Sequence, residues 1–403
     1  MKHKALVIGE SVQSFLCVIR SLGRRGIRVD TASNRLDHPA LFSRYIQNRF
    51  MLNPYSSGRD EWVKRLNLLL KSGDYDLVIP CHDSTIVPMQ ANRESLAHLS
   101  RITILEPGCF DLISSKLKTW ELAKNAGVNV PEQMQVFSIQ DLAEARQRFS
   151  LPLVLKPETS VTVENIHTRH VVRKIHSRDQ LDEVGRSMLA TGPFLVQKPF
   201  YGTGTGVEFL ARHGKILTAF QHLRIHEKIG GGPSCYRKSI PLMPHLLHAT
   251  RKIIERLDYT GVGMAEFKIH PDTGDWVFLE INGRFWGSLP LAVASGADFP
   301  FDLFQMMILD KTDFSSQTYK KGIFCRNLLL DGAWFVESFR QNHFGTRFNH
   351  FSLPRFLKEA ANIFKGCERW DAITLDDPLP GIMQMKNVGA DLIKGTPLHI
   401  PWT

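Results

Sequence analysis

Met264-Ala-Glu-Phe-Lys-Ile-His270, a turn, and then Trp276-Val-Phe-Leu-Glu-Ile-Asn-Gly-Arg-Phe-Trp-Gly-Ser288 form the stretch from which the rest of the chain can be read. Ala265, Phe267 and Ile269 are apolar, as are Val277, Leu279 and Ile281, while the residues between them are largely polar. Alternation with a period of two on both sides of His270-Pro-Asp-Thr-Gly-Asp275 predicts an antiparallel hairpin. If both odd-numbered sets face the core, only registers pairing odd with odd and even with even are allowed. The register symmetric about Thr273 sets Glu266 opposite Glu280, with Asn282 two residues along on that face. Directly opposed carboxylates repel each other across a ladder. A hard divalent cation between them reverses the sign, and carboxylate plus amide oxygens suit Mg²⁺. Arg284, two residues further, would then point toward whatever anion the metal carries. The alternative is a hairpin whose acidic face is merely solvated.

Outward from this hairpin, the first third of the chain alternates strand and helix. Lys4–Gly9 reads as a buried strand, Ser11–Leu22 as a helix, Ile27–Ala32 as a strand, Glu61–Leu70 as a helix and Asp76–Pro80 as a strand. Such alternation implies a parallel sheet covered by helices. The first turn, Gly9-Glu10-Ser11, lacks G-x-G-x-x-G and gives dinucleotide binding little support. His82, Asp83 and Ser84 fall at a strand's C-terminal end, where open sheets bind ligands, although capping of the next helix is the expected use of Asp83 or Ser84. In the middle of the chain, helices capped at Ser138 and Ser177 flank the strand Leu153–Pro157. Strands at Phe194–Phe200, Val207–Ala211 and Ile216–Arg224 and a helix over Pro244–Leu257 precede the hairpin. Gly202-Thr-Gly-Thr-Gly206 reads as a flexible strand connection. His222 and His226 on a strand share a face but stand about 13 Å apart, too far to hold one ion. Past residue 311 the signals weaken. One amphipathic helix, Arg355–Phe364, suits packing on its own protein better than an anionic membrane, and the chain ends in Pro-rich loops around Asp377–Pro380.

With 403 residues, 43% hydrophobic and 22% charged, the chain can hold two or three domains with their own cores. No apolar run approaches the roughly 20 residues of a membrane span, and the N-terminus reads as a strand, not a signal peptide, so the cytoplasm is the default location. The cysteines, without C-x-x-C spacing, suggest buried thiols and neither zinc nor disulfides. An excess of ten positive charges favours anionic ligands, but no nucleic-acid-binding module is present.

On Glu266 and Phe278-Leu-Glu-Ile-Asn-Gly-Arg284 the chain resembles the ATP-grasp superfamily, in particular its carboxylate–amine ligases, over roughly residues 110 to 305. The resemblance implies α/β and α+β architecture. Residues 1–112 would be a Rossmann-like pre-ATP-grasp domain, 113–310 a two-lobed ATP-grasp domain (small lobe about 130–196, large lobe about 197–310), and 311–403 a C-terminal extension. It implies ATP and one or two Mg²⁺ (or Mn²⁺) as cofactors, the metal held by Glu266, Glu280 and Asn282, with Arg284 stabilising the transferred γ-phosphoryl group. Lys156 would reach the nucleotide's phosphates, as its compact charge suits. Lys116 stands at a second family lysine position, or is a plain surface lysine. Gln197, Lys198 and Phe200 match the linker that holds adenine, and Glu208 matches a ribose ligand loosely. Arg224 and Gly230–Ser234 fall where the acceptor carboxylate binds, an arginine fork being suited to a carboxylate. The family's glycine-rich phosphate loop is replaced by Glu158–Thr168, which has no glycine and is expected to act as a lid. The implied reaction activates a small carboxylic acid as an acyl phosphate and couples it to an amine, such as an amino acid or polyamine. The alternatives are a phosphotransferase that stops before ligation and a protein that binds Mg-ATP without turnover. A homodimer is compatible with the resemblance, while no nucleic acid and no membrane-integral segment are expected.

Overall fold

Strand and helix alternate over the first hundred residues because apolar pentads are separated by amphipathic stretches, and the structure, a computed structural model, builds one parallel sheet from them. It describes residues 3–96, 101–159, 161–164, 166, 172–228, 232–314, 318–340 and 353–393. Strands β1 (Lys4–Ile8), β2 (Arg28–Ser33), β3 (Ile46–Met51), β4 (Leu77–Pro80) and β5 (Arg101–Ile102) lie in the order β3-β2-β1-β4-β5, all parallel. The order reverses between β1 and β4, so the loops after these two strands open a crevice at the sheet's C-terminal edge. β3 was not expected: its sequence, Ile-Gln-Asn-Arg-Phe-Met, has three consecutive polar residues and no alternation, because it is a half-exposed edge strand.

A second, antiparallel sheet follows, made of β6 (Gln133–Val136), β7 (Leu153–Pro157), β8 (Arg173–Ile175) and β9 (Phe194–Gln197) in the order β6-β9-β7-β8. Its two helices begin as the sequence implied. Ser138 caps Ile139–Arg148 with a reciprocal Ser138–Asp141 box, and Ser177 caps Arg178–Leu189.

The largest sheet is β14-β13-β10-β11-β12-β15-β16. It comprises β10 (Thr203–Arg212), β11 (Lys215–Glu227), β12 (Ser234–Ser239), β13 (Gly261–Ile269), β14 (Trp276–Asn282), β15 (Phe324–Arg326) and β16 (Glu368–Trp370). Two short strands from beyond residue 311 thus extend it. The expected Pro-rich ending is corrected: a helix runs from Leu379 to Ile393, with Pro380 in the first turn, where its missing N–H costs nothing. The helix Leu353–Phe364 packs on its own protein, as Asn362 donates to the Tyr236 hydroxyl and Glu359 lies against His226.

One apolar cluster joins the parallel sheet to the largest one. It runs from Ala5, Val7, Phe15 and Ile19 to Leu210, Phe220, Phe285, Trp286 and Phe304. Each large side chain buried there contributes about 1.5–3 kcal/mol, so the helices Ser14–Arg24, Leu289–Ser295 and Phe299–Leu309 tie the two sheets together and Asp83, after β4, meets Arg284, after β14. The cysteines carry free thiols, all buried except the half-buried Cys367. Among the described residues no helix is long and apolar enough to cross a membrane.

Candidate active site

The hairpin β13–β14 pairs Met264 with Asn282, Ala265 with Ile281 and Glu266 with Glu280, the register symmetric about Thr273. Toward the turn the pairing slips, and Phe267 faces Phe278. Leu279 becomes an extra residue, a bulge that bends the strand. The expected core face Val277, Leu279, Ile281 is corrected accordingly: Phe278 enters the core, its ring 5.6 Å from that of Phe267, and Leu279 stays outside. The carboxylates keep their register because the slip falls beyond them. Glu266 Oε1 accepts a hydrogen bond from Asn282 Nδ2 at 2.9 Å, and its Oε2 lies 2.7 Å from Arg224 Nη2. Burial raises the Glu266 carboxyl above its ordinary pKa, Arg224 opposes that and Glu280 adds to it.

Cations surround this pair. Burial lowers the Lys156 pKa to about 8, against the pull of Glu280. Lys116, the first residue of the helix Lys116–Asn125, is lowered by burial too, with Glu280 and Asp83 opposing. It is therefore half-buried, not a plain surface lysine, and shares Glu280 with Lys156. Lys268 shares the Glu266 face of β13, two residues along, and acts on both Lys156 and Lys174 of β8. Alternation alone could have found Lys268; Lys174 carried no signal of its own.

Arg284 is held from outside the hairpin. Its Nε and Nη2 donate to the two carboxylate oxygens of Asp83 at 2.7 and 2.9 Å, and Nη1 donates to the Phe285 carbonyl at 3.1 Å. The capping expectation for Asp83 or Ser84 is thus corrected. His82 caps the helix Asp83–Ala91 by accepting from the Ser84 N–H, which leaves the Asp83 carboxylate for Arg284. Two parallel charge-assisted bonds fix the plane of the guanidinium, so the parallel sheet orients an arginine of the largest one.

The linker from β9 to β10 presents Gln197, buried at the strand end, then Lys198 and Phe200. The Lys198 ammonium sits on Glu132 at 2.7 Å, at the surface, and its N–H donates to the Glu132 carbonyl at 3.0 Å. The Phe200 carbonyl accepts from Lys268 Nζ at 3.4 Å. Glu208 is corrected as a ribose ligand. It is fully buried, its Oε1 2.5 Å from His222 Nδ1 and accepting from the Ser288 hydroxyl at 3.1 Å.

The glycines of 202–206 are corrected as well. Gly204 and Gly206 lie within β10, paired with Lys268 and Glu266. A Cβ at Gly204 would meet Arg224 Cδ at 2.7 Å and overlap Glu227 Oε1, and one at Gly206 would meet His222 Cε1 at 2.7 Å and Met264 Sδ at 2.8 Å. They are the floor of the site rather than a loose link. His222 and His226 do not share a face, because a bulge after Arg224 turns His226 to the far side of the sheet. There it stacks on Trp334 at 3.6 Å between Asp331 and Glu359, which hold its pKa above the ordinary value despite burial.

Of the expected lid, residues 160, 165, 167 and 168 lie outside the described residues, as do Gly230 and Gly231 of the expected acceptor loop. The described part is anchored at both ends. The Glu158 carboxylate accepts from Ser115 and Gln135, and Val161, Val163 and Ile166 rest on the core of the parallel sheet beside Tyr55 and Trp62.

Among the described residues no cluster of three or more His, Cys, Asp or Glu forms a self-sufficient metal site. Two opposed carboxylates beside an amide fit Mg²⁺ instead, which is bound through one or two carboxylates and completes its octahedron with phosphate oxygens and water.

No protein-family model matches the chain, and no curated protein does. Solved structures do. N5-carboxyaminoimidazole synthetase from Staphylococcus aureus superposes with a TM-score of 0.66 at 13% identity, over 91% of this chain and 99% of that one. L-amino acid ligase from Bacillus licheniformis gives 0.61 at 16%, over 80% and 79%. The biotin carboxylase domain of Hydrogenobacter thermophilus 2-oxoglutarate carboxylase, solved with MgADP and bicarbonate, gives 0.63 at 15%, over 80% and 73%. The chain thus shares the fold of these structures, the ATP-grasp fold.

Proposed function

We propose that this chain is an ATP-dependent ligase that joins a small carboxylic acid to an amine. The observation that carries the reading is the Glu266–Glu280 pair beside Asn282, with the charges of Lys116, Lys156 and Arg284 acting on it and Lys268 two residues along its strand. Glu266, Glu280 and Asn282 would hold one or two Mg²⁺ (or Mn²⁺), which when bound neutralises the β- and γ-phosphates. The carboxylase domain solved with MgADP supports this choice of nucleotide and metal, and the amino acid ligase supports a ligation reaction.

Lys116 and Lys156 bind phosphate oxygens, and the linker Gln197–Phe200 holds the base. Arg284, aimed by Asp83, faces the γ-phosphoryl group in transfer, where fixed charge acts most strongly. Arg224 grips the acid. Its carboxylate oxygen attacks the γ-phosphorus, the bond to the β-phosphate oxygen breaks, and ADP leaves. The amine then attacks the acyl carbon, gives up a proton and expels phosphate, leaving an amide. The segment 158–168 covers the intermediate from water. The test is phosphate release from ATP with carboxylic acids crossed against amino acids and polyamines, with products identified by mass. ADP release that needs both acid and amine is expected, and Glu280→Gln should lower it by roughly a hundredfold or more. Release that needs no amine, or an unimpaired E280Q protein, would overturn the reading.

A further inference from the structure

Arg224 stands on β11 and Glu266 on β13, with β10 between them. To meet, the arginine must cross two strand spacings, about 10 Å, and it does so over the bare backbone of Gly204. It then engages the same carboxylate that the metal reading requires: Glu266 Oε2 has Arg224 Nη2 at 2.7 Å, and Oε1 has the Asn282 amide. The rest of the fork is poorly used. Nη1 donates to the Gly232 carbonyl at 3.4 Å and lies 3.8 Å from Glu227 Oε1, while Nε is buried with no hydrogen-bond partner among the described residues. Arg284, by contrast, spends Nε and Nη2 together on one carboxylate. A buried N–H left idle is costly, and a fork with one arm engaged and the other idle suits a residue that has a second partner.

Resting on the ligase reading, we propose that Arg224 is an exchangeable cation. It neutralises Glu266 until the metal–nucleotide takes that oxygen, and the released fork then turns Nε–H and Nη2–H together onto the carboxylate of the acid. Glu227 stays beside the guanidinium throughout and keeps it over the glycine floor. The acid therefore binds more tightly after the metal–nucleotide than before it, and by linkage the converse holds.

The test needs no turnover. Mn²⁺ binding to the protein with ADP is followed by electron paramagnetic resonance for the unaltered chain, Arg224→Met and Gly204→Ala. R224M should bind Mn²⁺–ADP roughly tenfold more tightly, since the competing cation is gone. G204A keeps every charge but puts a methyl where Arg224 Cδ lies, so it should shift affinity in the same direction. Tighter binding in R224M with unchanged G204A would reduce Arg224 to a source of positive field and overturn exchange, as would unchanged or weaker binding in both. If either variant fails to fold, the Arg224 Nε–H nuclear magnetic resonance signal of the unaltered chain decides. It should move when Mg²⁺ is added to the ADP-bound protein, and a stationary signal ends the proposal. A chain that binds no Mn²⁺–ADP at all would instead bring down the ligase reading beneath it.

Discussion

Lys156 is the residue whose chemistry reports most directly on the site. Burial holds its pKa at about 8, below the ordinary 10.5, and Glu280 recovers only part of the difference. The unfolded chain therefore binds more protons than the folded one between about pH 8 and 10.5, and stability rises with pH across that window as far as this residue is concerned. Phosphate, however, needs the charged form, so nucleotide affinity should fall over the same window, by at most about tenfold per unit. Opposite trends of melting temperature and ADP affinity are the expected signature. Lys156→Met should flatten both, measured by calorimetry of unfolding and of ADP binding. An affinity that stays level to pH 10 would mean Lys156 does not touch phosphate.

Among elements, β10 shows how a strand can be a floor. Its even positions 204 and 206 lie under Arg224 and His222, and position 208 is the glutamate that pairs with His222. Gly206→Ala should push His222 off Glu208 and leave both buried polar groups worse paired, at a cost of about 1–3 kcal/mol in urea unfolding. A neutral effect would mean His222 moves freely. The hairpin was legible because its alternation constrains register, and the register holds at Glu266 and Glu280. The bulge at Leu279 was not, since Phe278 and Leu279 are equally apolar and only packing decides which goes inside. The glycines of β10 misled for a related reason. Glycine marks either freedom or close approach, and the groups that crowd Gly204 and Gly206 come from β11 and β13, remote in sequence. β15 and β16, three residues each, have no periodicity to read, and the Asp83–Arg284 pair spans 201 positions that no local pattern connects.

For the whole molecule, what matters is how the parallel sheet is fixed against the largest one, since Asp83 must sit where Arg284 is. The shared apolar core supplies one tie and residues 371–377 supply another. Arg20, 3% exposed on the helix Ser14–Arg24, donates to the Asp377 carboxylate at 2.9 Å and to the carbonyls of Asp371, Ala372 and Asp377 at 3.2, 2.8 and 2.6 Å. Asp377 also accepts from the Ser43 hydroxyl and the Arg44 N–H, and Asp371 reaches Arg237 on β12. The segment therefore links the first helix to the largest sheet through buried charge. One turn away, Arg24 makes a bidentate pair with Asp376 at the surface. The environments differ, so the energies should. Arg20→Met leaves buried acceptors and a carboxylate without their cation, at about 3–5 kcal/mol, whereas Arg24→Met should cost about 0–1 kcal/mol because its pair is exposed to solvent. Urea unfolding followed by both circular dichroism and tryptophan fluorescence gives the comparison. If R20M costs no more than R24M, the 371–377 segment is not part of the cooperative unit. If R20M alone separates the two transitions, the segment is what makes the two sheets unfold as one.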